Sequence, residues 1–140
     1  MVFSPGEDCL NALLGLINGA HQSLQICVFT ISDNRIREAL LKAHQRGVEV
    51  RIITDNDKTE DKGSDIDWLA EQGVPVRVDR TRHHMHHKFV IADARQIATG
   101  SFNWTVSATR YNHENILLLN DESVIRDFAA EFESLWREFA

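Results

Sequence analysis

Four of the chain's seven histidines stand in one short run, His83-His84-Met85-His86-His87, with Lys88 directly after it. Imidazole titrates near neutral pH, at an ordinary pKa of about 6.5, so it can bind a metal, move a proton or act as a nucleophile. Three readings therefore compete: a metal cluster, a polar loop without chemistry, and a site in which one imidazole is nucleophile or general base. In an extended segment side chains alternate faces, which puts His84 and His86 on one side and His83 and His87 on the other. No Cys or carboxylate pair stands at a recognised ligand spacing from them. The surroundings thus give the metal reading no support, and the polar-loop reading would hold if the run stood alone.

It does not stand alone. His86-x-Lys88-x4-Asp93 is followed, after six intervening residues, by Gly100-Ser101-Phe102-Asn103. His86 and Lys88 are two apart at the start of a strand pattern and project to one face. The string resembles the HKD signature of the phospholipase D superfamily with its GSxN tail, matching six defined positions within eighteen residues. Phe3-Ser4-Pro5-Gly6, Cys27-Val28-Phe29-Thr30-Ile31, Arg51-Ile52-Ile53-Thr54-Asp55 and Ser101-Phe102-Asn103-Trp104-Thr105 extend the likeness over nearly the whole chain. They resemble the single-HKD nucleases, a group that holds bacterial endonucleases and mitochondrial Zucchini-type proteins. Two departures stand out. Ala94 occupies a position where Gly commonly follows the motif Asp, and there is no membrane anchor or zinc-binding insertion of the Zucchini kind.

The resemblance implies a phosphodiesterase that needs no cofactor or metal ion. A phosphodiester repels anionic nucleophiles, whereas a neutral imidazole can attack it and split one hard step into two through a phosphohistidine. A second group must protonate the leaving oxygen. The family assigns both roles to the motif His of two copies. This chain has one copy, so the resemblance implies a homodimer in which two His86 side chains share one site. Lys88 would hold a nonbridging oxygen and Asn103 would donate a hydrogen bond to the phosphate. Ser101 would support the same oxygens or the backbone. Asp93 belongs to the motif set but reads as structural, since a carboxylate against the phosphate is repulsive. Glu114, in Asn112-His113-Glu114-Asn115, resembles the downstream acid that orients the catalytic His through its other ring nitrogen.

Charge narrows the substrate. The net charge of −6 argues against a protein that coats nucleic acid. Its distribution is uneven, however. Asp55 to Glu71 holds seven acids and two Lys, whereas Val74 to Lys88 holds Arg77, Arg80, Arg82 and Lys88 against Asp79 alone. A local positive field of this kind, joined by Arg110, can attract a phosphodiester. Arg82 and Trp104 are the candidate substrate contacts beside Lys88 and Asn103, although Trp68, Trp104 and Trp136 all read first as core or interface residues. Nucleic acid, single-stranded by preference, is the expected substrate. A phospholipid of the cardiolipin type is the alternative, and no stable membrane association is expected, since no amphipathic basic segment is present for docking to a bilayer. A catalytically idle nucleic-acid or metal-binding module is the class-level alternative. The complete set of His86, Lys88, Asn103 and Glu114 argues against idleness.

The elements that must position these residues are also legible. The 140 residues fit one phospholipase D-like domain over 1–140. No apolar run approaches the ~20 residues of a membrane span, and the N-terminus lacks a signal-peptide pattern, so the chain as given reads as cytoplasmic. Cys9 and Cys27 read as small buried thiols. Asp55-Asn56-Asp57 hints at a calcium loop, but Glu60 stands where an EF-hand needs Gly. Ser4-Pro5 reads as a helix start, with Leu10, Leu13, Leu14 and Ile17 at helical spacing behind it. Leu24 to Ile31 reads as a strand buried on both faces. A helix follows, capped by Ser32 or Asp33, with Ile36, Ala39, Leu40 and Ala43 inward and Gly47 at its end. Val48–Thr54 and Val74–Val78 read as strands around a short helix near Ser64–Gln72. Lys88–Ile91 and Gln96–Thr99 form a hairpin, Asn115–Leu119 a further strand, and Glu122–Phe139 the last helix. This order predicts an α/β fold: a mixed, mainly parallel sheet flanked by helices on both faces.

Overall fold

Two side-chain rows of one central strand decide the layering. In the computed structural model, which describes residues 1–55 and 65–140, strand β2 (Ser23–Val28) is buried on both sides. Its Leu24, Ile26 and Val28 join a core with Leu10, Leu13 and Ile17 of helix α1 (Asp8–Gly19) and Ile36 and Leu40 of helix α2 (Asn34–Gln45). Its Cys27 faces the other way, into a core with Phe89, Ile91 and Phe132. The period-two alternation of a strand sends one row to each helical layer. Burial also raises the Cys27 thiol far above its ordinary value, as expected for an inert core cysteine.

The remaining elements are β1 (Val2–Ser4), β3 (Glu49–Asp55), α3 (Ile66–Glu71), β4 (Val76–Asp79), β5 (Lys88–Ala92), β6 (Gln96–Gly100), α4 (Val106–Arg110), β7 (Glu114–Leu119) and α5 (Glu122–Glu138). The seven strands form one sheet in the order β1-β7-β6-β5-β2-β3-β4. Helices α1 and α2 cover one face and α5 the other, so the α/β class with helices on both faces holds. The balance of directions differs from the expectation. Only β2·β3 and β3·β4 are parallel, while β1·β7, β2·β5, β5·β6 and β6·β7 are antiparallel. Helical crossovers impose parallel pairing only up to β4. Beyond it the chain turns back through a hairpin, and antiparallel pairing follows.

Several boundaries moved for identifiable reasons. Ser4-Pro5 does not start a helix: Ser4 ends β1, and α1 begins at Asp8. The Ser4 hydroxyl donates to the Asn112 carbonyl at 2.9 Å and accepts the Glu114 N–H at 3.2 Å, so it serves a tertiary strand pair and not a helix end. Strand β1 and helix α4 carry no sequence periodicity, being three and five residues long. Strand β2 stops at Val28, and Ile31 makes one isolated bridge to Trp104. Asp33 caps α2, accepting the Arg35 N–H at 2.9 Å. The polar loop after Asp55 and the rejected calcium-loop reading at Asn56, Asp57 and Glu60 lie outside the described residues, as does Ser64.

Candidate active site

Sheet register gathers the motif at one end of the sheet. Lys88 opens β5 opposite Val28, the last residue of β2. Gly100 closes β6 opposite Ile116, and Ser4 closes β1 opposite Glu114. Asp55 closes β3 opposite Asp79. The ends of seven strands thus bring together residues spread from position 4 to position 116. Gly100 is required there, because a Cβ would lie 2.1 Å from the Asn115 carbonyl oxygen.

His86 lies two residues before the start of β5. Its ring packs on Phe29 with centroids 4.6 Å apart. Lys88 Nζ lies 2.9 Å from His86 Nδ1 and 2.9 Å from the His86 carbonyl oxygen. An ammonium only donates, so in the neutral ring the nitrogen it meets is an acceptor, and Nδ1 is the nearer of the two, with Nε2 at 3.4 Å. Burial, then the Lys88 charge and the neighbouring His84, push the His86 pKa below its ordinary value. Burial also lowers the Lys88 pKa, against the opposing pull of the Glu114 carboxylate. The His86 shift favours an uncharged imidazole at neutral pH, the form a nucleophile requires.

Other members of the predicted set stand around this pair. Asn103, half-buried, carries a buried side-chain oxygen without a hydrogen-bond partner among the described residues. Ser101 Oγ accepts the Asn115 N–H at 3.1 Å, so in this structure it secures backbone. Glu114 Oε2 accepts from Asn112 Nδ2 at 3.3 Å and makes no hydrogen bond to His86 of its own chain. The orienting contact expected of it is therefore absent within the chain. Its nearest effect is electrostatic, on Lys88.

Three candidates fall elsewhere. Asp93 lies at the opposite end of β5 from Lys88 and accepts the N–H groups of His21, Gln22 and Ser23 at 2.7–3.1 Å. Burial raises its pKa, but these three bonds outweigh burial and hold it below the usual carboxylate range. It is a structural staple and not a catalytic group. Trp104 is 2% exposed in the core, so its ring cannot stack on a substrate base. Its backbone oxygen receives Ser32 and Asp33 N–H at 2.9 and 3.1 Å. Arg77 leaves the basic group as well: its guanidinium stacks over Trp136 at 4.0 Å and donates to the Trp136 carbonyl oxygen. Arg80, Arg82 and Arg110 remain exposed.

The histidine run divides among separate partners. His84 Nδ1 lies 3.5 Å from Asp55 Oδ1, and His87 Nε2 lies 2.9 Å from Glu131 Oε2 on α5. Among the described residues no three His, Cys, Asp or Glu side chains converge as metal ligands. Beside His86 opens a cavity of about 450 Å³, walled by His84, Met85, His87, Glu131 and Leu135. Two positioning residues, Phe29 and Asp55, were named from the sequence only within matched strings and a rejected calcium loop, with no role at the site. Asp55 is fully buried at the end of an apolar strand, and its isolated carboxylate in that run was the available signal.

Comparison with known proteins follows the same outline. The family model described as "Cardiolipin synthase, PLD-like domain" matches residues 13–136. A "Mitochondrial cardiolipin hydrolase" of Chlamydomonas reinhardtii is 45% identical over 137 residues, covering 98% of this chain and 61% of that protein. A protein of the same name from Homo sapiens is 42% identical over 134 residues, covering 96% and 53%. The chain therefore spans between half and two thirds of the length of these relatives. The crystal structure of "a phospholipase D family member, Nuc from Salmonella typhimurium" superposes with a TM-score of 0.89 at 28% identity, covering 96% of this chain and 91% of that one. The cytoplasmic expectation is overturned by the curated relatives, which are named as mitochondrial. No helix of the described residues is long and apolar enough to cross a membrane.

Proposed function

The chain belongs to the phospholipase D-like family of phosphodiesterases, and from that premise we propose that it hydrolyses phosphodiester bonds in single-stranded nucleic acid through a phosphohistidine. The observation that carries this is the His86–Lys88 pair, an imidazole held neutral beside a fixed ammonium at an open sheet end. In the free site Lys88 Nζ lies 2.9 Å from one ring nitrogen of His86 and 3.4 Å from the other, so its ammonium competes for the lone pair of the ring. A phosphate oxygen that draws Lys88 Nζ to itself frees that lone pair and is neutralised in the same movement. The ring nitrogen then bonds to phosphorus as the bond to the leaving oxygen breaks. The leaving oxygen takes a proton from a second imidazolium. Water attacks the phosphohistidine in the second step, returns a proton to that second imidazole, and the P–N bond breaks.

One His86 per chain supplies only one of these two roles. We infer that a second copy of the chain supplies the other, as a two-fold dimer would. The exposed Arg80, Arg82 and Arg110 on either side of the motif support a polyanionic strand as substrate. A second reading is favoured by the relatives' names, namely a cardiolipin-type phospholipid carrying the same phosphodiester chemistry.

The deciding experiment compares cleavage of a labelled single-stranded oligonucleotide with cleavage of cardiolipin vesicles, both in millimolar EDTA, with His86→Ala as the blank. The proposal expects oligonucleotide cleavage that His86→Ala abolishes and His87→Ala largely preserves. Lys88→Ala should lose about 10²–10³-fold in rate, as for one lost oxyanion donor. Cleavage of vesicles alone would leave the mechanism and replace the substrate. Activity that vanishes in EDTA and returns with one divalent metal would overturn the mechanism. Light scattering over a dilution series, with activity measured alongside, tests the dimer, and a fully active monomer would refute it.

A further inference from the structure

The end of α4 and the loop from it to β7 carry three exposed side chains that no step of the proposed reaction uses: Arg110, the last residue of α4, Tyr111 and, after Asn112, His113. Tyr111 is 71% exposed, more than any other large apolar or aromatic side chain among the described residues. Its backbone is nevertheless fixed. The Tyr111 and Asn112 N–H groups both donate to the Ser107 carbonyl, at 2.9 and 3.1 Å. Ser4 Oγ donates to the Asn112 carbonyl at 2.9 Å, and Asn112 Nδ2 donates to Glu114 Oε2 at 3.3 Å. The ring is therefore held out into solvent by a braced loop and not by a loose end.

Its place in the fold is at the sheet end that also carries the reacting groups. Glu114 opens β7, which pairs with β6, which pairs with β5 and Lys88. Two strand spacings of about 4.8 Å separate the Glu114 and Lys88 strands, so the loop borders the same sheet end as His86. The Arg110 and His113 side chains make no hydrogen bond or ion pair among the described residues. An exposed ring flanked by a guanidinium and an imidazole is the chemistry that holds a base and its phosphates. The ring offers a stacking face, and the N–H groups of Arg110 and His113 can donate to the backbone phosphates.

We propose that Tyr111 is a base-stacking subsite for the nucleotide adjacent to the scissile phosphate, with Arg110 and His113 holding the flanking phosphates. This rests on the nucleic-acid reading above and adds a specificity element to it. Substrates should need a base, and not only a phosphate backbone, on the Tyr111 side of the cleaved bond.

The test uses His86→Ala protein, which binds without turnover, and fluorescence anisotropy with two ligands of equal length: a single-stranded oligonucleotide and the same backbone with abasic positions. Tyr111→Ala should weaken the base-bearing strand about tenfold and leave the abasic strand unchanged, while Tyr111→Trp retains binding. Arg110→Ala should weaken both and reduce the salt slope by about one. An equal effect of Tyr111→Ala on the two strands, or no effect on either, overturns the subsite. So does loss of binding to cardiolipin vesicles with oligonucleotide binding intact, which would make Tyr111 a lipid-surface anchor. The underlying nuclease reading is judged separately, by whether the protein with His86 intact cleaves the base-bearing strand at all.

Discussion

Asp55 Oδ2 accepts the Met85 N–H at 2.7 Å, which ties the backbone one residue ahead of His86 to the buried end of β3. The motif segment is thus fastened across the sheet from β5, to a strand whose carboxylate also faces His84. A loop holding four imidazoles would otherwise sample many arrangements. Here a fully buried acceptor selects one.

Substitution at Asp55 follows from that contact. Asp55→Ala leaves a buried N–H without a partner, at a cost of about 1–3 kcal/mol in stability. It should also lower kcat about tenfold by releasing His86 from its position. Asp55→Asn, whose amide oxygen can still accept, should recover most of kcat. Steady-state kinetics and denaturant unfolding of both variants check this. Equal loss in the two would show that charge beside His84, and not position, is what Asp55 provides.

The titration of His86 should respond to Lys88. Burial is the largest cause of its lowered pKa and the Lys88 charge the next. Lys88→Met removes a cation, so the His86 pKa should rise toward the ordinary value of about 6.5. With Lys88 present the imidazole stays neutral to lower pH, and the acid limb of kcat/KM should fall below that value. Because the folded pKa is depressed, the unfolded chain binds more protons in the window between the two values. His86 therefore adds stability as pH rises through that window. Imidazole NMR titrations of the two proteins decide the matter. An unchanged or lower pKa in Lys88→Met would remove Lys88 from the electrostatics of the ring.

Asp93 should act on stability and its pH dependence, and not on chemistry. Its carboxylate gathers three backbone N–H groups, and its folded pKa is depressed. Its contribution is present above the unfolded value of about 3.9 and is lost as pH falls through the folded value. Asp93→Asn should cost about 2 kcal/mol near pH 7, discounted because the site is partly solvated. The gap from the parent should close as pH approaches the folded value. Unfolding curves at neutral and acid pH measure it, and a gap that does not change with pH would contradict the assignment.

Ala94 marks a position where the chain departs from its family's habit. Asp93 and Ala94 both adopt φ of 56°, the left-handed central pair of the turn that the Arg95 N–H closes on the Ala92 carbonyl at 3.0 Å, within the three-residue loop between β5 and β6. Alanine in that region is strained by about 1–2 kcal/mol relative to a residue without a Cβ clash. Ala94→Gly regains part of this, less the greater freedom of glycine in the unfolded chain. The expected gain is about 1 kcal/mol, a rise of a few degrees in Tm. Calorimetry is sufficient, and a lower Tm would show that the turn tolerates Ala94 without strain.

The chemistry was legible in the sequence because it is local. His86 and Lys88 need only one extended segment to share a face, and Gly100, Ser101 and Asn103 follow from the next strand. The α/β class and most elements were equally plain, since helical spacing and apolar runs are properties of short windows. The relation between distant segments was not. The four antiparallel pairings, the edge strand β1, and the placing of Asp93 at the far end of β5 depend on which strands lie side by side. Trp104 illustrates the limit. Its position next to Asn103 fits a substrate contact, yet the Ile31 bridge turns its ring into the core. Asp55 illustrates the converse, a strand-end acid given no role at the site from the sequence, which anchors the motif segment 30 residues away. Residue type and spacing determined which groups could attack a phosphodiester. Only the packing of non-neighbouring strands decided which of them meet, because burial and hydrogen-bond partnership are properties of the assembled sheet.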